Sequence, residues 1–455
     1  MTVRPPHEPR LTARQAPAHS GHRVSPLKVA TSVALLGTAL LGTSALAQQK
    51  DVQPGLHIKP HLELEAEFRR NRRLESGDIR QDVTLSPMGI VALRWQSEGR
   101  WALVNETELR VDHEHETEDG NNSHGLLKIN QLYAEGNYAE YDTLLRIGRW
   151  DVEDERKFMF DQELDGVWAN HERGPWEFQA FLGRENHWNR DLLDSDSKGD
   201  GQNYFGFVAD YELAKRRHIT LNGVVRRNGE DNVRMNHLSI GGYATPKDDS
   251  LRHWAVLSLS QGHLGGDKYS GQAIDLGATL RISPHEMKPR LTIGYAWGSG
   301  HGSNDSGTNG THLQTGLHDN ESNFGGQADF DNYGVVLDPD LSNIHIITAG
   351  IGINPDKQTS WDLVYHYYRQ DKTAALSYTD MRQRFDDESA RAIGHGLDLV
   401  WGWRPDNRWR FKAAVGMFEP NERFRDSNRA GAGSAKTAFK GWLEVRYYFD
   451  AITKR

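Results

Sequence analysis

Residues 62–69 read LELEAEFR, with Leu62, Leu64, Ala66 and Phe68 on one side of an extended chain and Glu63, Glu65, Glu67 and Arg69 on the other. Successive strand side chains point to opposite faces, so this octapeptide is a strand with one apolar and one charged face. The same alternation returns almost to the last residue. Ile274, Leu276, Ala278, Leu280 and Ile282 alternate with Asp275, Gly277, Thr279 and Arg281. Leu291, Ile293, Tyr295 and Trp297 alternate with Arg290, Thr292, Gly294 and Ala296.

Taking such runs as strands and polar, Gly- or Pro-containing gaps as connections predicts eighteen strands. The first nine span 57–69, 83–95, 101–111, 126–137, 143–150, 165–170, 176–184, 202–211 and 218–226. The other nine span 238–245, 252–260, 273–282, 289–298, 344–353, 359–369, 395–404, 409–418 and 438–449. Alternate gaps are brief, such as QSEGR (96–100), NPDKQ (354–358) and PDNR (405–408). The gaps between them are longer, up to 299–343. Short connections at one end, long ones at the other and an even strand count predict an all-β, closed antiparallel transmembrane barrel with short periplasmic turns and long external loops. Hydrocarbon offers no partner to the backbone groups of an open sheet edge, which requires closure. Eighteen strands are expected to enclose an aqueous lumen rather than a packed core. Tryptophans near strand ends, among them Trp95, Trp101, Trp361, Trp403 and Trp409, fit interfacial girdles. The last strand, with Leu443, Val445, Tyr447 and Phe449 on one face, resembles the aromatic-ended terminal strand of outer-membrane proteins, although six residues follow Phe449.

Composition agrees with this reading. The 455 residues include no cysteine, so no disulfide braces the fold. Mean hydropathy is -0.71, and after residue 50 no stretch is apolar enough for a spanning helix. The run from Val29 to Leu46 follows Arg23 and Lys28 and ends in Ala45-Leu46-Ala47. It predicts a cleaved secretory signal over 1–47 and an outer-membrane barrel over 48–455. Removing the leader takes away five basic residues and one acidic one, leaving 49 basic and 62 acidic side chains and a net charge of -13. That balance argues against nucleic acid as a partner.

Assigning the charged face to the lumen points Arg94, Arg110, Arg146, Arg184, Arg226, Arg281, Arg290, Arg404, Arg410, Lys412, Lys440 and Arg446 inward. Acids accompany them, including Glu63, Glu65, Glu67, Glu106, Asp275, Asp362, Asp398 and Glu444. The set reads either as a self-neutralising ladder or as a partly unpaired cationic lining with weak sites for passing anions. Arginine suits carboxylates through its planar fork.

Two segments are distinctive. LLRIGRWDVEDERKFMFDQELDGVW (144–168) sets Arg149 at a strand end before an acidic-basic cluster, and QTGLHDNESNFGG (314–326) lies in the longest loop. They resemble the GR–x–DDER–x–D–LDGV-like run and the Q-T-G-L…N…F-G-G segment of the alginate export family of outer-membrane proteins. The resemblance implies an exporter that passes the anionic polysaccharide alginate through a cation-lined constriction, a monomer among outer-membrane lipids, with room for periplasmic export or biosynthesis partners. It transfers to Arg149, Asp154, Glu155, Arg156, Asp165, Gln314, Gly316 and Asn320. The residues add Arg146, Arg184, Arg290, Arg404, Arg410, Lys412 and Arg446 as lining candidates. The family's inward-folding external loop finds candidates in 112–125, 299–343 and 370–394, whereas a long periplasmic plug has no counterpart among the short turns.

Other chemistries find little support. His113, His115 and His124 sit among acids in DHEHETEDGNNSHG (112–125), which reads as a solvated acidic tip rather than a metal site. His366 alternates with Tyr365 and Tyr367 and lies on the opposite face from both, and no G-x-S-x-G signature occurs. No catalytic residue, metal or cofactor is expected. The alternative function is a general anion-selective or sugar-uptake porin.

Overall fold

The computed structural model describes residues 52–74, 80–117, 120–186, 191–194, 201–229, 231–246, 250–376, 378–381, 388–421, 424 and 436–454. The predicted leader and its cleavage site lie outside them. The strands are β1 (Gly55–Arg70), β2 (Gln81–Gln96), β3 (Trp101–Glu116), β4 (Gly120–Tyr138), β5 (Thr143–Glu153), β6 (Asp161–Arg173) and β7 (Trp176–Arg184). There follow β8 (Asn203–Ala214), β9 (Arg217–Asn228), β10 (Val233–Ala244), β11 (Leu251–Leu264), β12 (Asp267–Arg281) and β13 (Arg290–Gly298). After the short β14 (Glu321–Ser322) and β15 (Phe330–Asp331) come β16 (Ile344–Ile353), β17 (Thr359–Gln370), β18 (Ala392–Trp403), β19 (Trp409–Pro420), β20 (Ala438–Tyr448) and β21 (Ile452–Lys454).

Eighteen strands, β1–β13 and β16–β20, form one antiparallel sheet that closes where β1 pairs with both β2 and β20. After Phe449 the seam is extended by β21, whose Ile452–Lys454 pair with Leu56–Ile58 of β1. LELEAEFR lies in β1 with Glu63 buried against β20 and Phe68 exposed on the other face. The wall's outer face is apolar and open, Leu182 being 61% and Ile293 59% exposed, as lipid contact requires. At the periplasmic ends, Trp403 stacks on Phe411 at 4.8 Å and Trp409 meets Tyr447 at 4.7 Å. The turns below are fixed by their sequences. In both PDKQ and PDNR the aspartate after proline accepts two backbone N–H groups, Asp356 from Gln358 and Thr359, Asp406 from Arg408 and Trp409.

Two expectations change. Residues 112–125 are not a loop over the mouth: β3 and β4 stay paired from Asp112↔His124 to Glu116↔Gly120. In the gaps expected at 227–237 and 261–272 the strands likewise run on, paired as far as Asn228↔Val233 and Leu264↔Asp267. Beyond the membrane both faces meet water, so apolar alternation ends while backbone pairing continues.

The lumen is also not an open aqueous space. The connection 299–343 turns inward and buries Leu313, Leu317, Phe324, Phe330, Val335, Leu337 and Leu341. It descends to the opposite rim, where Gln327 donates its backbone N–H to Ser360 Oγ at 2.7 Å and its amide to the Lys357 carbonyl at 3.2 Å. Small residues on the facing wall make room for it. A Cβ on Gly271 would overlap the His312 backbone, and one on Gly402 would lie 2.7 Å from Ala328 N.

Candidate functional site

A second inward element meets this loop. β4 and β5 stay paired only up to Leu132↔Arg149, and above that point the β5–β6 hairpin carries Phe158, Met159 and Phe160 into the interior, each 3% exposed or less. The parting is closed by Arg149. Its guanidinium grips Asp165 in a fork at 2.7 and 2.8 Å and donates to the Ile129 carbonyl of β4 at 3.1 Å. By ladder parity Arg149 and Asp165 share the face of Ile147 and Val167, and Arg184, paired with Asp165, shares that of Phe178 and Leu182. The sequence assigns these three to the lining; the structure gives them the outward parity of β5–β7.

The tip is folded by Asp154, whose carboxylate accepts N–H bonds from Phe158 at 2.8 Å and Met159 at 2.7 Å. Burial nevertheless pushes its pKa up. Glu155 is exposed at this tip, with Arg252, His218, Arg156 and Arg216 as its electrostatic neighbours. Arg156 crosses the lumen. It pairs with Asp275 of β12 at 3.2 Å, donates to Ser322 Oγ at 3.0 Å and lies 4.0 Å over the Trp254 ring. Lys157 binds Glu321 at 2.6 Å and Asp161 at 3.2 Å. Burial would lower its pKa, yet these carboxylates hold it well above the ordinary lysine value.

The second distinctive segment locks onto the first. Gln314 and Asn320 exchange amide hydrogen bonds at 2.9 and 3.0 Å, and Gln314 also donates to the Phe158 carbonyl. Thr315 Oγ1 donates to the Met159 carbonyl at 2.6 Å, and Asn320 N–H to that of Lys157 at 3.0 Å. Gly316, at φ +82°, passes close against the Arg226 guanidinium. The two motif segments therefore interlock as fasteners of a plug built from 154–160 and 299–343.

Most inward cations are paired. Arg146 and Arg94 share Glu135 at 3.0 and 2.7 Å, and Arg146 also lies over Tyr133 and Trp168. Arg290 grips Asp362 at 2.7 Å, Lys412 faces Asp329 and Glu444 at 3.5 and 3.7 Å, and Arg446 meets Glu63 at 2.6 Å. Glu65 pairs with Arg110 and Glu67 with Arg69, so the three glutamates of LELEAEFR are neutralised.

Arg404 and Arg410 differ. Among the described residues no carboxylate pairs with either. Arg410 stands beside Arg446 in register and has Arg404 as a neighbouring cation. Its guanidinium lies 5.0 Å over the Tyr448 ring. Among the described residues the buried Arg410 Nε and the buried Tyr448 hydroxyl both lack a hydrogen-bond partner. They sit just above the turn 405–408 at the periplasmic mouth. No sequence signal marks Tyr448, because its neighbour Tyr447 on the opposite face supplies the strand's aromatic end. Among the described residues no three histidines or carboxylates gather as a metal site, and His113 and His115 bond across their hairpin to Ser123 and Asn121.

Comparisons with known proteins place this geometry. Solved structures similar to the chain include three Pseudomonas aeruginosa porins. OccK5 (OpdH) has a TM-score of 0.56 at 10% identity, over 87% of this chain and 98% of that one. OccK7 (OpdD) has a TM-score of 0.54 at 14% identity, over 88% and 99%. OccK2 (OpdF), solved in complex with glucuronate, has a TM-score of 0.53 at 12% identity, over 89% and 100%. At identities this low the likeness shows the barrel fold alone. No curated protein matches in sequence. The family model described as alginate export matches residues 53–436. The chain therefore belongs to the alginate export family, as a channel of the bacterial outer membrane and not an enzyme.

Proposed function

We propose that this barrel exports alginate by passive diffusion, with the unpaired cations at the periplasmic mouth receiving the polymer. The observation that carries the reading is the convergence of Arg404, Arg410 and Tyr448, where the buried Arg410 Nε–H and Tyr448 hydroxyl lack partners among the described residues. A uronate carboxylate supplies the missing acceptor, and a guanidinium binds it through charge-assisted hydrogen bonds. Passage needs weak, repeated sites, and the paired cations above give brief exchanges between wall carboxylates and polymer carboxylates. The seated plug must shift for a polymer to pass, while the apolar outer wall suits a monomer in lipid.

A second reading is uptake of small uronates, favoured by the resemblance in fold to OccK2, which was solved with glucuronate. Planar-bilayer recording separates the two. Oligomannuronate added on the periplasmic side blocks an exporter at concentrations where monomeric glucuronate does not. Equal block by monomer and oligomer favours uptake, and absence of block by either refutes the site.

A further inference from the structure

The outer face of β9–β12 carries a feature unrelated to the lumen. Arg227, Arg234, His263 and Lys268 are direct cross-strand neighbours, since the ladders pair Arg227↔Arg234, Arg234↔His263 and His263↔Lys268. All four share the outward parity. Arg227 is on the face of Leu221, Arg234 on that of Leu238 and Ile240, His263 on that of Leu257 and Leu259, and Lys268 on that of Leu276. Arg234, His263 and Lys268 are exposed. Neighbouring strands lie about 4.8 Å apart, so the row spans about 15 Å.

Like charges directly opposite one another, as Arg227 and Arg234 are, destabilise a sheet, and nothing among the described residues offsets them here. No carboxylate pairs with any of the four. Arg227 donates to the Met235 carbonyl at 2.7 Å and to Asn236 Oδ1 at 2.8 Å. Asp231 accepts a hydrogen bond from Asn228, and Asp267, opposite the buried Leu264, has inward parity.

Height fixes the class of counterion. Leu238 and Leu259 are the outermost exposed apolar residues on β10 and β11, and Arg234 and His263 stand four residues beyond them. At about 3.3 Å per residue on a tilted strand this is about 10 Å above the last apolar row, at the outer edge of the headgroup layer. Asn236, Gln261, Ser270 and Gln272 fill the intervening rows. An anion at that height, continuous with the lipid-facing surface, is a lipid phosphate.

We propose that this row is a binding site for the phosphates of an outer-leaflet glycolipid, whose acyl chains lie along the apolar face below. Arginine forks engage phosphate oxygens bidentately, and Lys268 contributes a point charge. The lipid neutralises the row and fixes the rotation of these strands against the leaflet.

The test uses the full barrel in detergent micelles, titrated with lipid A bearing both phosphates, with the same lipid after dephosphorylation, and with inorganic phosphate alone. The double variant Arg234→Ala/Lys268→Ala is compared with wild type, and both are first checked for the heat-modifiable gel shift of a folded barrel. Wild type is expected to bind phosphorylated lipid A about tenfold or more tightly than the double variant, and to lose that advantage with the dephosphorylated lipid. Arg408→Ala, which removes an exposed partner of Asp450 on the opposite rim, is expected to bind as wild type does. Equal affinity of wild type and double variant, or equal affinity for the two lipids, overturns the proposal. Competition by inorganic phosphate at the same concentration overturns the lipid as occupant, leaving a simple anion site.

Discussion

Arg156→Ala tests whether the interlocked motifs hold the plug. The wild-type guanidinium is 8% exposed and joins three parts of the molecule: Asp275 on the wall, Ser322 on the long loop and the Trp254 ring. Truncating one partner of a buried ion pair costs about 3–5 kcal/mol, because the other charge is left uncompensated. Asp275 keeps its hydrogen bond from Trp254 Nε1 at 2.9 Å, which puts the cost near the low end. About 3 kcal/mol changes the ratio of seated to released plug by a factor of roughly 150. The β5–β6 tip and the 314–326 segment share the remaining anchors, so the release is expected as frequent transitions to a larger conductance, not as unfolding of the barrel. Single-channel recording in a planar bilayer measures it, with the heat-modifiable gel shift verifying the fold. Arg156→Lys keeps the charge without the planar fork, and its traces are expected between those of wild type and Arg156→Ala. Traces of Arg156→Ala with the amplitudes and dwell times of wild type would refute the assignment of these residues as plug fasteners.

Further outcomes follow from the same geometry. Gly271→Ala places a Cβ into the His312 backbone and is expected to displace the loop, raising both conductance and protease cleavage within 299–343; an unchanged digestion pattern contradicts the close approach. Arg410→Gln is expected to lower anion selectivity, read as reversal potential under a KCl gradient, and to weaken oligomannuronate block, whereas unchanged values make Arg410 a brace. Seating is also expected to depend on pH. Burial raises Asp331 from 3.8 to about 7 among Lys440, Glu321, Asp319 and Asp398, and Asp338 is pushed up beside Asp331, Lys440, Asp380 and Asp319. An acid with a raised folded-state pKa stabilises the seated loop while protonated, and this is lost as pH rises through about 7. Burial lowers His312 from 6.5 to about 4, and its contribution is lost as pH falls below 6.5. The plug should therefore be quieter at pH 6.5 than at pH 8.5. Asp331→Asn should reduce that difference, and equal channel noise at the two pH values in wild type would show that these acids do not control seating.

The barrel was legible because lipid imposes a two-residue period on every crossing, and LELEAEFR displays it in eight residues. The same signal stops where lipid stops, which is why DHEHE (112–116) reads as a loop although its backbone remains in the ladder. Charge alone could not locate partners. Glu63 finds Arg446 across the seam, as pairing of the first strand required, but Arg94 goes to Glu135 and not to the first strand. The plug was the least visible part. Its seat depends on Gly271 and Gly402, far in sequence from the loop they admit, and on pairs such as Arg156–Asp275 that no local pattern displays. Asp154, Gln314 and Asn320 stand in recognisable motifs, whereas their fastening role comes from the meeting of two loops far apart in sequence; Arg149 of the same motif instead ties β5 to β6 and β4.

Polymer secretion tests the central claim most directly. The chain would be expressed in an alginate-producing strain lacking its own exporter, with outer-membrane insertion verified, and uronic acid measured in medium and periplasm. Polyuronate accumulating in the medium, and less of it with Arg410→Gln, is the predicted result. A correctly inserted barrel with all polymer retained in the periplasm would contradict export of alginate through this channel.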